Sequence, residues 1–249
     1  MEQNINQVDQ KELKKEVSLY TKTFLFLGLA LLTTALATIG FAIMFAYFFP
    51  YSENAFTIYL IFSIVAGVGT MITSLVTTFK VIKNKSSAII PFIIYVLFMS
   101  LLLANISYFI ADPYTIGVSL VITSLIFFTI CICTLIFKSR YRLVFGLLIG
   151  LGVAVGIMSL VNFLILPFLF TGSEAAFDAF MQTFYIVQGI TLILSVVVTV
   201  ADLMALKSLA ATGENRTNYA LLMALNLYND FIWILIRVII LVSRNRGRN

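Results

Sequence analysis

The chain reads as an all-α membrane protein with seven transmembrane helices, and three observations predict that fold class. Of 249 residues, 61% are hydrophobic and only 11% charged, with a mean hydropathy of +1.06, a balance no soluble domain of this size requires. The apolar residues fall in serial runs close to the ~20 residues that cross a hydrocarbon core as helix. The short polar breaks between the runs alternate between basic and acidic, as the two sides of a membrane require.

In chain order the runs give spans at Thr23–Phe49, Thr57–Phe79, Ala88–Ile110, Gly117–Phe137, Leu143–Phe170, Phe180–Leu206 and Ala220–Val242. Lys80, Lys83 and Lys85 follow span two, Lys138, Arg140 and Arg142 follow span four, and Lys207 and Arg216 follow span six. The alternate loops carry only acids: Glu53, Asp112, then Glu174 and Asp178. Lys11, Lys14, Lys15 and Lys22 precede span one, so the N-terminus is predicted cytoplasmic. Span seven would place Arg244, Arg246 and Arg248 outside. A full crossing is favoured over a re-entrant segment, because the run is 23 residues long and has no Gly or Pro to turn it back. The expected organisation is a polar cytoplasmic tail over 1–20, a seven-helix domain over 21–243 and a basic tail over 244–249.

A signal peptide is not expected, since the apolar run after Lys22 is too long, although Ala35-Leu36-Ala37 loosely resembles a cleavage site. Span five carries Gly146-x-x-x-Gly150 and Gly152-x-x-x-Gly156, spacings that let helices approach closely. They speak for packing.

The residue inventory excludes several chemistries. The net charge of +5 sits in loops and at the ends, where topology uses it, and is not a nucleic-acid footprint. The absence of histidine removes Ser-His and Cys-His catalysis, haem ligation and nearly all zinc sites. Cys131 and Cys133 lie two residues apart in one apolar helix and point to different sides of it, so packing is their expected role. No G-x-S-x-G elbow or Gly-x-Gly-Asp context is present, and span seven has no lysine for a Schiff base. An enzyme or a retinal protein is therefore not expected.

Three ionisable side chains remain deep inside the apolar runs: Asp202, Asp230 and Arg237. A charge held there costs at least about 2.5 kcal/mol, which makes each a candidate functional residue. On span six, Gln188, Thr191, Ser195, Thr199 and Asp202 fall on one stripe. Such hydroxyls also glue helices together, but a carboxylate at the end of the stripe suits a hydrated path. On span seven, Asn226, Asp230 and Arg237 share a face, Asn229 lies about 100° away, and Trp233 sits between. Polar groups on several sides predict a buried, central helix, and the mid-span position of Trp233 fits burial without showing it.

Asp202 lies 11 residues before Gly213, and Asp230 lies 13 residues after Thr217, a candidate N-cap. An antiparallel hairpin thus brings the two carboxyls to similar depth. Two negative charges about 4 Å apart at an effective dielectric near 20 repel by roughly 4 kcal/mol, so the pair is expected to share one proton and titrate as a unit. Protonated, it ties span six to span seven. Deprotonated, it repels, opens the stripe and offers oxygens to a hard cation such as Ca²⁺. Arg237 is the natural counter-charge, though about 10 Å further along the axis, and a group on another helix is an alternative partner for it.

The segment Ala224-Leu-Asn-Leu-Tyr-Asn-Asp230-Phe-Ile closely resembles the last-helix motif A-L-x-L-Y-L-D-F-I of the transmembrane Bax inhibitor motif family. Leu19-Tyr-Thr-Lys-Thr-Phe through Leu31-Leu-Thr-Thr-Ala35 is similar to that family's opening helix. The resemblance implies two three-helix layers wrapped around a central C-terminal helix, and a pH-regulated calcium leak governed by an aspartate pair. Asp230 matches the motif aspartate, and Asp202 stands where its helix-six partner is expected. Some bacterial relatives have an arginine in helix two that engages the pair; span two here has no basic residue, and Lys80 at its end is the nearest substitute. The last helix also departs from the pattern, with Trp233 where members often have Asn and Arg237 earlier than theirs. The competing expectation is a membrane interaction protein that modulates a membrane protease or other complex without transport, the aspartates serving as internal glue. In either case the bilayer is the surrounding partner, and a plasma membrane the expected location.

Overall fold

A computed structural model of the chain describes residues 2–48, 55–83, 88–110, 113–136, 174–212 and 217–246. These form six long helices: α1 (Glu2–Phe48), α2 (Ala55–Ile82), α3 (Ile89–Ile110), α4 (Pro113–Ile136), α5 (Glu174–Ala211) and α6 (Thr217–Arg246). Helix is the form hydrocarbon imposes, because every backbone N–H and C=O must find a partner within its own segment. All six contain stretches long and apolar enough to cross a membrane. They correspond to predicted spans one to four, six and seven. Span five, with its glycine spacings and Pro167, lies outside the described residues, as do Pro50 and the acidic residues Glu53 and Asp112.

Local chemistry sets the ends. Pro113 opens α4, and Pro91 sits in the first turn of α3, where its missing N–H deprives the helix of nothing. The Lys83 amide closes the end of α2 on Phe79 O at 3.1 Å. Helix α1 begins at Glu2, so the polar residues expected as a tail continue the first span as helix. Helix α6 runs unbroken over 30 residues, about 45 Å of rise against a hydrocarbon core of about 30 Å. A re-entrant turn would need a break in that run.

The helices divide into two compact units. The first comprises Met1–Pro113 and Ala205–Asn229, the second Tyr114–Met204 and Asp230–Asn249. In the first unit Phe45, Ala66, Leu101 and Ala104 form a buried core joined by Phe41, Met44, Ile58 and Phe62. Phe45 and Phe62 meet at 5.5 Å between ring centroids. Gly69 permits α2 to close on α3, since a Cβ there would lie 2.7 Å from the Phe98 ring. Leu25, Leu29, Leu32 and Leu36 of α1 and Ile64, Met71 and Phe79 of α2 are exposed, an apolar surface suited to lipid.

In the second unit α4 buries Thr115, Ser119, Thr123, Phe127 and Ile130, and α5 buries Val187, Thr191, Ser195 and Thr199. The Phe127 and Phe231 rings pack edge to face at 5.6 Å, joining α4 to α6. Cys131 is a free, half-buried thiol. Among the described spans α6 is the most buried, followed by α3. Trp233, whose mid-span position fitted burial, is instead 47% exposed. It lies outward while its neighbours Ile232, Ile234 and Leu235 are buried, and it takes the Arg237 guanidinium over its face at 5.2 Å.

Candidate functional site

Helices α5 and α6 place the predicted acids together in the second unit. The Asp202 and Asp230 side chains lie within hydrogen-bonding reach of each other. A hydrogen bond between two carboxyl groups requires a proton on one of them. Asp230 is 7% exposed and Asp202 half-buried. The Thr199 hydroxyl, fully buried, also interacts with the Asp230 carboxyl. Oδ2 of Asp230 is buried with no hydrogen-bond partner.

The stripe on α5 points inward. Thr191, Ser195 and Thr199 are buried, and Gln188 and Asp202 are half-buried. Each hydroxyl donates to its own helix: Thr191 to Gln188 O at 3.0 Å, Ser195 to Thr191 O at 2.9 Å, and Thr199 to Ser195 O at 2.8 Å. Their oxygen lone pairs stay available to a second partner. Arg237 uses one of them, its Nη1 donating to Ser195 Oγ at 3.0 Å and to Trp233 O at 3.2 Å. Its Nε is buried without a partner. Contacts between Asp202 and Asp230 and between Ser195 and Arg237 fix α5 and α6 as antiparallel, with the guanidinium two turns beyond the acids. Arg237 thus meets the hydroxyl stripe of a neighbouring helix.

The other sequence candidates are used differently. Asn229 accepts a hydrogen bond from the Tyr95 hydroxyl in the first unit. Tyr228, wholly buried, bonds through its hydroxyl to Thr34 Oγ1 at 2.6 Å, and the Tyr95 and Tyr228 rings meet edge to face at 5.9 Å. Asn226 is half-buried in the same unit. Asn229 lies one helical step from the acid, and Asn226 one turn before it. Lys80, in the last turn of α2, also belongs to the first unit. The signal missed in the sequence is on α4, where Thr115, Ser119 and Thr123 repeat at four-residue spacing on a single buried face. That spacing was legible, but hydroxyls in an apolar helix have many uses and no charge marked this set.

Among the described residues no third His, Cys, Asp or Glu joins the two aspartates. Two carboxylates supply at most four oxygens, fewer than the six to eight that Ca²⁺ takes. The arrangement suits a transient cation contact better than a permanent metal centre.

Long apolar helices holding a paired, buried diacid define a polytopic membrane protein with an ionisable centre between its last two described helices. The family model for the inhibitor of apoptosis-promoting Bax1 matches residues 16–247, and the chain belongs to that Bax inhibitor family. Searches of curated proteins and of solved structures gave no match.

Proposed function

We propose that the chain is a proton-controlled cation leak, with calcium as the favoured ion, residing in the plasma membrane of a bacterium with its N-terminus cytoplasmic. Span five completes a seven-helix bundle in which two three-helix layers wrap the C-terminal helix. The observation that supports this reading most is the buried Asp202–Asp230 contact. With one proton between them, the carboxyls tie α5 to α6. Loss of that proton leaves two like charges away from bulk water, which separate or attract a cation. The site performs no bond chemistry, and the chain is not an enzyme on this reading.

The deciding experiment uses purified protein in liposomes, with calcium and monovalent flux recorded across pH for wild type and for Asp202→Asn. Flux that rises with pH in the wild type and loses that dependence in the variant supports the leak. An unchanged pH profile ends it. The lack of a basic residue in α2 before Lys80 of its last turn favours the second reading, in which the chain binds a membrane protease or another membrane complex. Absent flux together with stable co-purification of such a partner would select it.

A further inference from the structure

In the second unit, Ser119 and Thr123 of α4 differ from the bonded hydroxyls Thr191, Ser195 and Thr199 of α5. A hydroxyl in a membrane helix ordinarily donates to a carbonyl one turn earlier, as Thr129 on the outer face of α4 does to Leu125 O at 2.8 Å. Ser119 and Thr123 have zero exposure, yet neither Ser119 Oγ nor Thr123 Oγ1 has a hydrogen-bond partner. The exposed hydroxyl is satisfied by its own backbone and the two buried ones are turned away from theirs. A polar group in such surroundings demands a partner, and hydrocarbon offers none.

Their position indicates what they face. Phe127, one turn beyond Thr123, packs on Phe231, the residue after Asp230. The basic loop after α4 and the basic turn between α5 and α6 assign those helix ends to one membrane side, so α4 runs antiparallel to α6. Thr123 and Ser119 then lie about 6 and 12 Å from the Phe127 level, and Arg237 lies about 9 Å from Phe231 in the same direction. Thr123 flanks the stretch of α6 between Asp230 and Arg237, and Ser119 lies about 3 Å past the Arg237 level. Two further buried polar atoms without partners, Asp230 Oδ2 and Arg237 Nε, mark the ends of that stretch. Thr199 and Ser195 line it from α5.

We propose that α4, α5 and α6 enclose a hydrated seam from the acid pair past Arg237, with Thr123 on its third wall beside the stretch between them and Ser119 at its far end. Its ligand is water and, once the acids ionise, a partly hydrated cation. The guanidinium bonded to Ser195 lies across the far end and opposes cation passage until it moves. The cation part rests on the leak reading; the hydration rests on the Phe127–Phe231 contact, the loop charges and the unpaired buried atoms.

The test is thiol accessibility in the full chain, in a background with Cys131→Ala and Cys133→Ala, using a small charged methanethiosulfonate that reacts with thiolates in water. S119C and T123C are expected to react at least tenfold faster than T129C, the lipid-facing control. Equal, slow reaction at all three positions overturns the seam. Water-radiolysis footprinting of the unsubstituted chain gives an independent reading: labelling concentrated at Phe127 and Phe231 relative to Phe128 supports the seam, and no contrast overturns it. Fast reaction at S119C and T123C combined with a pH profile unaffected by Asp202→Asn would retain the seam and discard the gating role of the acids.

Discussion

The two units handle buried polarity in opposite ways. In the first, Tyr95 meets Asn229, Tyr228 meets Thr34, and Thr34 in turn donates to Ala30 O at 2.8 Å. Thr38 donates to Ser100 O at 3.3 Å, and Ser100 Oγ to Val96 O at 2.7 Å. Thr23 and Asn105 are its exceptions, each buried with unpaired side-chain atoms. In the second unit the unpaired atoms include a carboxyl oxygen and a guanidinium nitrogen as well as Ser119 and Thr123. Neutral groups closed on one another hold helices together at modest net gain, about 1 kcal/mol per bond. Ionisable groups left open in hydrocarbon are costly to keep and respond to protons and ions. On the proposed leak, the contrast gives structural work to the first unit and responsive work to the second.

The strongest challenge to this contrast is Asp202→Asn. It leaves one titratable carboxyl where the proposed leak has two sharing a proton, and on that reading the expected result is at least a tenfold loss in the ratio of cation flux between high and low pH, read in liposomes. Should Tyr228→Phe abolish the pH dependence equally, the division of labour fails.

Arg237→Ala should come next. It removes a charge-assisted bond to Ser195 and the stacking on Trp233, a loss of roughly 2 kcal/mol that thermal unfolding in detergent would register as a lower midpoint. The same variant should raise resting flux, because the α5–α6 tie beyond the acids is gone.

In the first unit, Tyr95→Phe leaves the Asn229 carboxamide without its donor and should cost about 1–2 kcal/mol, with the pH profile of flux unchanged. Tyr228→Phe is expected to cost less, about 1 kcal/mol, because Thr34 keeps its bond to Ala30 O. A double-mutant cycle on Tyr95 and Asn229 would sharpen the value by removing the cost of the orphaned partner. The smallest effect is expected at Trp233, where Phe preserves an aromatic face at an exposed position; about 0.5 kcal/mol or less in stability is anticipated.

Much of this was legible in the amino-acid order. Apolar run length and loop charge located six described spans to within a few residues at most ends, because hydrocarbon leaves a chain few alternatives to helix. The depth match of Asp202 and Asp230 followed from counting residues to a turn. The side-chain destinations did not. Asn226 and Asn229 looked like companions of Asp230, yet a rotation of about 100° gives Asn229 to Tyr95. The mid-span position of Trp233 fitted burial, yet it is exposed and stacked against Arg237.

Sequence alone therefore determined where the helices run and which of them hold charge, since those follow from transfer free energies that act residue by residue. Tertiary structure decided which polar groups meet: Arg237 with Ser195, Tyr228 with Thr34, and the unpaired α4 hydroxyls facing inward. Those outcomes depend on helix rotation and register, set by the summed fit of many apolar contacts that no single residue encodes.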